Sequence, residues 1–317
     1  MPAPDTRSPA PGTEPGAAER TEQVVPLRHY GRYLAATITL AALLTFLAAL
    51  AVNKNVQISV VASYLFNQTI LQGVISTIII SVAAQIIGIL LGVGLAVMRQ
   101  SPNPVLSGVS WLYIWFFRGT PLLVQLIFWS NFGSFYQHFV LGVPFTSLSA
   151  ASVGVNAVLT RYVAGIIGLS LNEGAYMAEV VRAGLLSVDD GQTEAALSLG
   201  MTRGLLLRRV VLPQAVRVII PPTGNEFISM LKNTALLEAI GAGELFTRTS
   251  DIYANNLEII PLLIVASLWY LAMTSVLNFG QYYLERRFAR GSMRALPLTP
   301  LQRLRLVALP GRNAAVR

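Results

Sequence analysis

Six stretches of the chain are long and apolar enough to cross a membrane as helices, which takes about 20 mostly apolar residues each. They cover about residues 34–52, 71–98, 105–130, 155–181, 218–237 and 259–282. Residues 56–72 alternate between polar and apolar, which favours a partly interfacial helix before the second stretch. The pattern therefore predicts an all-α membrane protein with six transmembrane helices.

The first stretch has two interpretations, a membrane helix over 33–53 or a cleaved signal peptide. Its apolar run of about 19 residues is longer than the roughly 7–15 of a signal peptide, and about 30 residues precede it. We therefore expect a membrane helix. Glycines at helical spacing in the second stretch, Gly88 and Gly92, predict close approach of another helix.

Composition and charge support a membrane protein and its orientation. The hydrophobic fraction is 54% and the charged fraction 12%, against about 25% charged in soluble domains. The net charge is +8, and with six spans most arginines fall on one side of the membrane. The positive-inside rule then predicts a multi-pass protein with both termini in the cytoplasm, and the charge is a topology signal rather than a nucleic-acid signature. These arginines are Arg20, Arg28, Arg32, Arg99, Arg203, Arg208, Arg209, Arg286, Arg287, Arg290 and Arg294.

The two ends lie outside the predicted fold. Residues 1–32, which begin with a run rich in Pro, Ala, Gly and Glu, are expected to form a disordered cytoplasmic tail. Residues 291–317 form a basic cytoplasmic tail, which is either unstructured or lies on anionic membrane lipid.

Several kinds of chemistry are excluded by residue counts. The chain has no cysteine and two histidines, which argues against a cysteine nucleophile, a histidine triad and a zinc site. Neither lysine, Lys54 or Lys232, follows a glycine, so the chain contains no phosphate-binding P-loop. We expect no catalytic residues, no metal and no cofactor, and a chain that is not an enzyme.

The segment 188–215, between the fourth and fifth stretches, has a helix–turn–helix pattern. Thr193 or Asp190 is a candidate N-cap for a short helix, and Gly200 is a candidate terminator because glycine tolerates positive φ. A second helix is expected from about Arg203, with a break or a kink near Pro213. Without further information, this cytoplasmic hairpin is either a connector or a contact surface.

The spacing within this hairpin resembles the EAA loop of ABC importer permeases. The residues that match are Glu194, Ala195, Ala196, Gly200, Val210, Leu212 and Pro213, with Val210 where isoleucine is usual. Other segments resemble the polar amino-acid branch, of the histidine, glutamine, arginine and opine type. They include Arg118-Gly-Thr-Pro-Leu-Leu-Val-Gln125, Ala175-Tyr176 with Glu179 and Arg182, and Lys232-Asn-Thr234, after which Ala235 replaces a usual serine.

The resemblance covers about residues 68–290 and implies a fold, partners and a coupling site. The fold is a type I (MetI-like) permease core of five helices, here with one extra N-terminal helix, in a bacterial inner membrane. The partners are a separate ATPase subunit that binds ATP, an extracytoplasmic amino-acid-binding protein and a second permease copy, as a homodimer rather than a heterodimer. The residues implied in coupling to the ATPase are Glu194, Ala195, Ala196, Gly200, Leu212 and Pro213. The alternative is a self-contained secondary transporter or channel, which leaves the loop spacing unexplained.

Polar residues inside the spans are candidates for the substrate path, since charge within a bilayer is costly and marks functional sites. A zwitterionic amino acid needs donors for its carboxylate, such as Arg118 or Lys232, and acceptors for its ammonium, such as Glu173 or Glu179. Structural ion pairing, for example between Glu179 and Arg182, is the alternative. The complete set of candidates is Arg118, Gln125, Asn172, Glu173, Tyr176, Glu179 and Lys232.

Overall fold

The computed structural model describes residues 30–142 and 149–288, and the chain divides into two compact units. The first unit ends at Asn53 and contains helix α1 (Tyr30–Val52). The second unit begins at Lys54 and contains the remaining elements. The predicted tails lie outside the described residues, except that α1 begins inside the segment 1–32 that was predicted to be disordered.

The second unit consists of helices and one small sheet. In chain order its elements are α2 (Ile58–Leu65), α3 (Gln68–Arg99), α4 (Pro104–Gly119), α5 (Leu122–Ser130), β1 (His138–Gly142), β2 (Ser149–Gly154), α6 (Val155–Val158), α7 (Arg161–Leu186), α8 (Asp190–Ser198), α9 (Arg203–Leu206), α10 (Leu212–Asn233), α11 (Leu245–Asn256) and α12 (Ile259–Phe288). Strands β1 and β2 pair antiparallel, with His138 opposite Gly154. The predicted all-α class is confirmed. The β1–β2 pair and helix α11 are additions that the apolar pattern did not indicate.

The membrane-crossing helices are only partly recognisable by length and apolar composition. Among the described helices, α3 and α12 meet both criteria, and the bent pair α4–α5 adds a third crossing if it counts as one span. Helices α7 and α10 have 26 and 22 residues, but polar and charged side chains interrupt their apolar sequence. The predicted total of six spans is therefore consistent with the helices but not confirmed by these criteria.

The third predicted stretch is not one straight helix, because α4 and α5 are bent by 102° at a break. Pro121 follows Thr120, whose backbone is extended at φ −106° and ψ 145°. A proline disfavours helical geometry in the residue before it and has no N–H to donate, so the helix cannot continue through this point.

The fourth and fifth predicted stretches have different bounds in the structure. Helix α7 begins at Arg161 because Thr160 is its N-cap and accepts a hydrogen bond from the Val163 N–H at 3.3 Å. Helix α10 starts earlier than expected and passes into a 3₁₀ turn at Thr234–Ile240. Two prolines lie inside α10, and Gln281 Nε2 of α12 donates to the Pro221 carbonyl at 2.8 Å.

The core of the second unit is the packing of α3 against α7. A Cβ atom at Gly88 would lie 2.5 Å from Glu173 Cγ, and one at Gly92 would lie 2.5 Å from Met177 Cβ. Neither position has room for a larger residue, so the backbone of α3 approaches α7 directly. The predicted close approach at these glycines is confirmed.

We expect Gly92→Val to destabilise the protein by about 1–3 kcal/mol, since overpacking a tight helix contact forces the helices apart. Gly94→Val, on the same helix, is the matched control, because a Cβ atom at Gly94 would meet no neighbouring atom within 4 Å. Thermal unfolding of the detergent-solubilised protein measures both variants. Equal midpoints for the two would contradict the α3–α7 contact.

Candidate substrate path and coupling loop

The break between α4 and α5 is held by two of the predicted path residues. Asn172 Nδ2 on α7 donates to the Phe117 carbonyl at 2.9 Å and to Gln125 Oε1 at 3.1 Å. Gln125 Nε2 donates to the carbonyls of Phe117 and Thr120 at 3.0 and 3.1 Å. Carbonyls freed by a helix break need such donors within a membrane. Asn172 and Gln125 are thus brought together, and both support the bend.

Glu173 lies at the centre of the α3–α7 contact and is only 5% exposed. Gln85 Nε2 on α3 donates to Glu173 Oε1 at 2.9 Å. Helix α10 packs against α7 and carries Glu226, a half-buried carboxylate whose negative charge repels that of Glu173. Helices α7 and α10 therefore bring two carboxylates together beside the Gln85 amide of α3, and a cation there would relieve their repulsion.

Arg118 and Tyr176 lie beside these two carboxylates. The Arg118 guanidinium carbon lies 5.2 Å from the centre of the Tyr176 ring, which is within the range of a cation–π contact. Arg118 also attracts the Glu226 carboxylate electrostatically. Arg118 and Tyr176 are exposed in the single chain, so this side of the group is open. Together, Gln85, Arg118, Glu173, Tyr176 and Glu226 define what we call the carboxylate group.

Glu179 and Arg182 form the ion pair that the alternative interpretation expected. Arg182 Nη2 lies 2.6 Å from Glu179 Oε2, and Arg182 Nε lies 3.1 Å from the same oxygen. The pair lines a cavity of about 660 Å³ together with Arg99, Trp111, Trp115 and Arg118. Glu179 therefore has a partner within its own helix.

Lys232 lies apart from the other candidates. It is exposed near the C-terminal end of α10, about 9 Å along the helix axis from Glu226 at ~1.5 Å per residue. The structure thus brings Arg118, Glu173 and Tyr176 together, assigns Asn172 and Gln125 to the break, and separates Lys232.

Two residues of the carboxylate group were missed as site residues by sequence reasoning. Glu226 lies within the fifth apolar stretch, and a charge within a span was itself an available signal. Gln85 was not noticed, because a single glutamine in a long apolar helix carries little charge signal. A polar residue one helical turn before Gly88 was the available clue, since close helix contacts favour buried polar pairs.

The hairpin of residues 188–215 has the predicted helix–turn–helix form with one correction at its start. The N-cap of α8 is Asp189, whose side chain accepts from the Gly191 N–H at 2.8 Å, rather than Asp190 or Thr193. Gly200 ends α8 at φ +79°, and the Met201 N–H donates to the Ala196 carbonyl at 3.1 Å, as in a Schellman turn. The prediction that Gly200 terminates this helix is confirmed.

The second half of the hairpin begins where it was predicted, and just before Pro213 its helix changes to a π-helical turn without a break. Helix α9 begins at Arg203, with Thr202 as N-cap. A π-helical turn at Leu207–Val211 then precedes Pro213, which lies in the first turn of α10. Proline is suited to that position because the first N–H groups of a helix have no partner within it.

The hairpin presents an apolar surface without a partner in the single chain. Glu194, Ala195 and Leu212 are exposed, whereas Ala196 is 5% exposed and packs inside the hairpin. Leu199, at the turn, is 84% exposed, and sequence reasoning did not single it out. Several exposed large apolar side chains in one loop are typical of a contact surface, and here they also include Leu197, Leu207 and Leu212.

The bent and polar helices, the carboxylate group and the exposed hairpin together define a membrane transport protein that works with other subunits. The chain belongs to the family described as the inner membrane component of binding-protein-dependent transport systems, whose model matches residues 86–290. It is therefore a transport permease component and not an enzyme.

Two relatives illustrate the similarity. The chain is 45% identical over 309 residues to the arginine transport system permease protein ArgU of Corynebacterium glutamicum, covering 95% of this chain and 96% of that protein. It is 37% identical over 219 residues to the L-cystine transport system permease protein TcyB of Bacillus subtilis, covering 69% of this chain and 86% of that protein.

Solved structures give the same fold. A chain from a crystal structure of an amino acid ABC transporter with histidines matches with a TM-score of 0.58 and 35% identity, covering 69% of this chain and 94% of that one. A chain of the inward-facing MetNI methionine ABC transporter matches with a TM-score of 0.53 at 18% identity, covering 69% of this chain and 95% of that one, which supports the MetI-like fold alone. The predicted class, a permease subunit of an ATP-driven amino-acid importer, is confirmed.

Proposed function

We propose that this permease carries a cationic amino acid and that the carboxylate group is where it recognises the cationic side chain. The observation that carries the proposal is that the buried Glu173 lies on α7, which packs against α10 and its half-buried Glu226, and we assign both helices to the membrane. Two repelling carboxylates in such a place are costly, and a guanidinium or ammonium group would offset that cost. The relative at 45% identity, which is named for arginine transport, supports this substrate class.

Energy would come from a separate ATPase that docks on the hairpin from α8 to the start of α10. The exposed apolar Leu199 and the neighbouring Glu194 and Ala195 support this assignment. Glu194 lies in the middle of α8, and its exposed negative charge can pair with a basic group of the partner. Gly200, Leu212 and Pro213 would fix the shape of the hairpin, and Ala196 its internal packing.

An extracytoplasmic binding protein would deliver the substrate, as the family description implies. A second copy of this chain would close the open side of the carboxylate group, where Arg118 and Tyr176 are exposed. Both termini would be cytoplasmic, since the basic residues Arg99, Arg203 and Arg286 then lie on one side. Asn172 and Gln125 would support the path, and the Glu179–Arg182 pair and Lys232 would border it.

The test is uptake of labelled arginine, lysine and glutamine by proteoliposomes that contain the permease, its ATPase and its binding protein. We expect Glu173→Gln and Glu226→Gln each to lower uptake of the cationic amino acids about tenfold or more, which corresponds to the loss of ~1.4 kcal/mol or more. Any glutamine uptake should change much less.

Glu258→Gln is the control, because Glu258 is a partly exposed carboxylate that precedes α12. Unchanged uptake of arginine and lysine in both site variants would contradict the cationic substrate. Uptake by the permease without the ATPase would instead favour the secondary-transporter alternative.

A further inference from the structure

The side-chain oxygen of Gln85 has no hydrogen-bond donor among the residues that the structure describes. Gln85 is 5% exposed, on the face of α3 that contacts α7. A buried acceptor without a partner costs about 1–3 kcal/mol, so such an atom within a binding site calls for an explanation.

The orientation of the Gln85 amide is set by its neighbour. Its Nε2 donates to Glu173 Oε1 at 2.9 Å, and the reverse orientation would place an amide oxygen against a carboxylate oxygen. Gly88, one turn further along α3, lets Glu173 approach closely enough to make this bond. The Gln85 oxygen is therefore held beside the Glu173 carboxylate as an additional acceptor.

We propose that Gln85 is a specificity-determining residue, whose oxygen accepts an N–H from a guanidinium group and so selects arginine-like substrates over lysine-like ones. This inference rests on the proposed cationic substrate. Gln85, Glu173 and Glu226 together present acceptors from an amide and two carboxylates on three different helices. Glu173 and Glu226 supply the negative charge, and Gln85 adds a neutral acceptor.

The chemistry of the two cations explains the selection. A guanidinium is planar, offers five N–H donors in a fixed fork and is more weakly hydrated than an ammonium. It can therefore use a neutral acceptor beside a carboxylate and be buried at lower cost. An ammonium is a compact, strongly hydrated charge with three donors. On entering the same buried site it therefore loses more hydration free energy than a hydrogen bond to the Gln85 oxygen restores.

The test is direct binding of labelled arginine and lysine to the permease–ATPase complex in nanodiscs, without the binding protein, so that its selectivity does not contribute. We expect the wild type to bind arginine about tenfold more tightly than lysine. Gln85→Met has a side chain of similar length with no amide, and should weaken arginine binding about tenfold while lysine binding changes less than about twofold, which removes the preference.

Ser81→Ala is the matched control, because Ser81 is buried one turn before Gln85 and donates within its own helix to the Thr77 carbonyl at 2.7 Å. It should leave the preference for arginine intact. Equal binding of arginine and lysine by the wild type would overturn the inference without any variant, as would an unchanged preference in a folded Gln85→Met protein.

Failure of this inference is distinguishable from failure of the proposed function. If Glu173→Gln weakens binding of both cations while Gln85→Met weakens both equally or neither, the cationic site stands and the role of Gln85 is wrong. If Glu173→Gln and Glu226→Gln change neither affinity, the cationic site itself is wrong, and the role of Gln85 is wrong with it.

Discussion

Leu199→Asp is expected to release the ATPase from the permease and to reduce ATP-driven uptake about a hundredfold. Leu199 is 84% exposed at the turn that ends α8, directly before Gly200, whose φ of +79° fixes the shape of this turn. Burying a leucine in a partner groove contributes about 1.5–3 kcal/mol, and an aspartate there would have to lose its hydration as well. A dimer has two hairpins, so the loss of binding free energy would be doubled.

Co-purification of the ATPase with tagged permease measures this prediction, and uptake in proteoliposomes measures its consequence. Leu257→Asp is the matched control, because Leu257 is 79% exposed in the turn between α11 and α12, on the side of the membrane that we assign to the exterior. The control should retain the ATPase. If Leu199→Asp also retains the ATPase and full uptake, the hairpin is not the docking surface.

The sequence predicted those parts of the fold that depend on local patterns. The apolar periodicity located α1, α3 and α12, and the spacing of Gly88 and Gly92 indicated a close helix contact, because both signals lie within one helix. Gly200 was recognised as a helix terminator since positive φ is largely restricted to glycine. The predicted N-caps of α8, Asp190 and Thr193, were wrong, because the preceding Asp189 is equally suited to capping and is the residue that caps the helix.

The bend between α4 and α5 was visible in the sequence only as an interruption. Pro121 indicates where a helix stops, but the direction in which the chain continues depends on what satisfies the freed carbonyls. In the structure that is Asn172, from a helix that begins about 40 residues later. A polar stripe on a membrane helix looks the same whether it faces a solute or a neighbouring backbone, so the sequence could not separate these roles.

The composition of the carboxylate group also required the packing of separate helices. Glu173 was predicted from its charge within a span, whereas its partners Gln85 and Glu226 come from α3 and α10. No spacing rule connects residues that lie more than 50 positions apart. Lys232 was included on charge alone, and its position at the end of α10 separates it from the group.

A second polar cluster ties three helices together at Glu244, which lies outside every predicted span. Its carboxylate is fully buried and accepts from the backbone N–H groups of Phe246 and Thr247 at 2.8 and 2.7 Å, at the start of α11. It also accepts from the Tyr270 hydroxyl of α12 at 2.8 Å and, weakly, from Thr77 of α3 at 3.5 Å. Burial raises the pKa of the Glu244 carboxyl, and the hydrogen bonds to the carboxylate oppose that shift.

Glu244→Leu is expected to destabilise the protein by about 3–5 kcal/mol, because it leaves several buried donors without an acceptor. For a chain of this size the thermal midpoint should fall by roughly 6–20 °C, at about 2–4 °C per kcal/mol. Glu244→Gln, which keeps one acceptor oxygen, should lose less, and Glu258→Leu, which removes a partly exposed carboxylate, should lose little. Thermal unfolding of the solubilised protein compares the three. A loss in Glu244→Leu no larger than in Glu258→Leu would mean that Glu244 does not hold α3, α11 and α12 together.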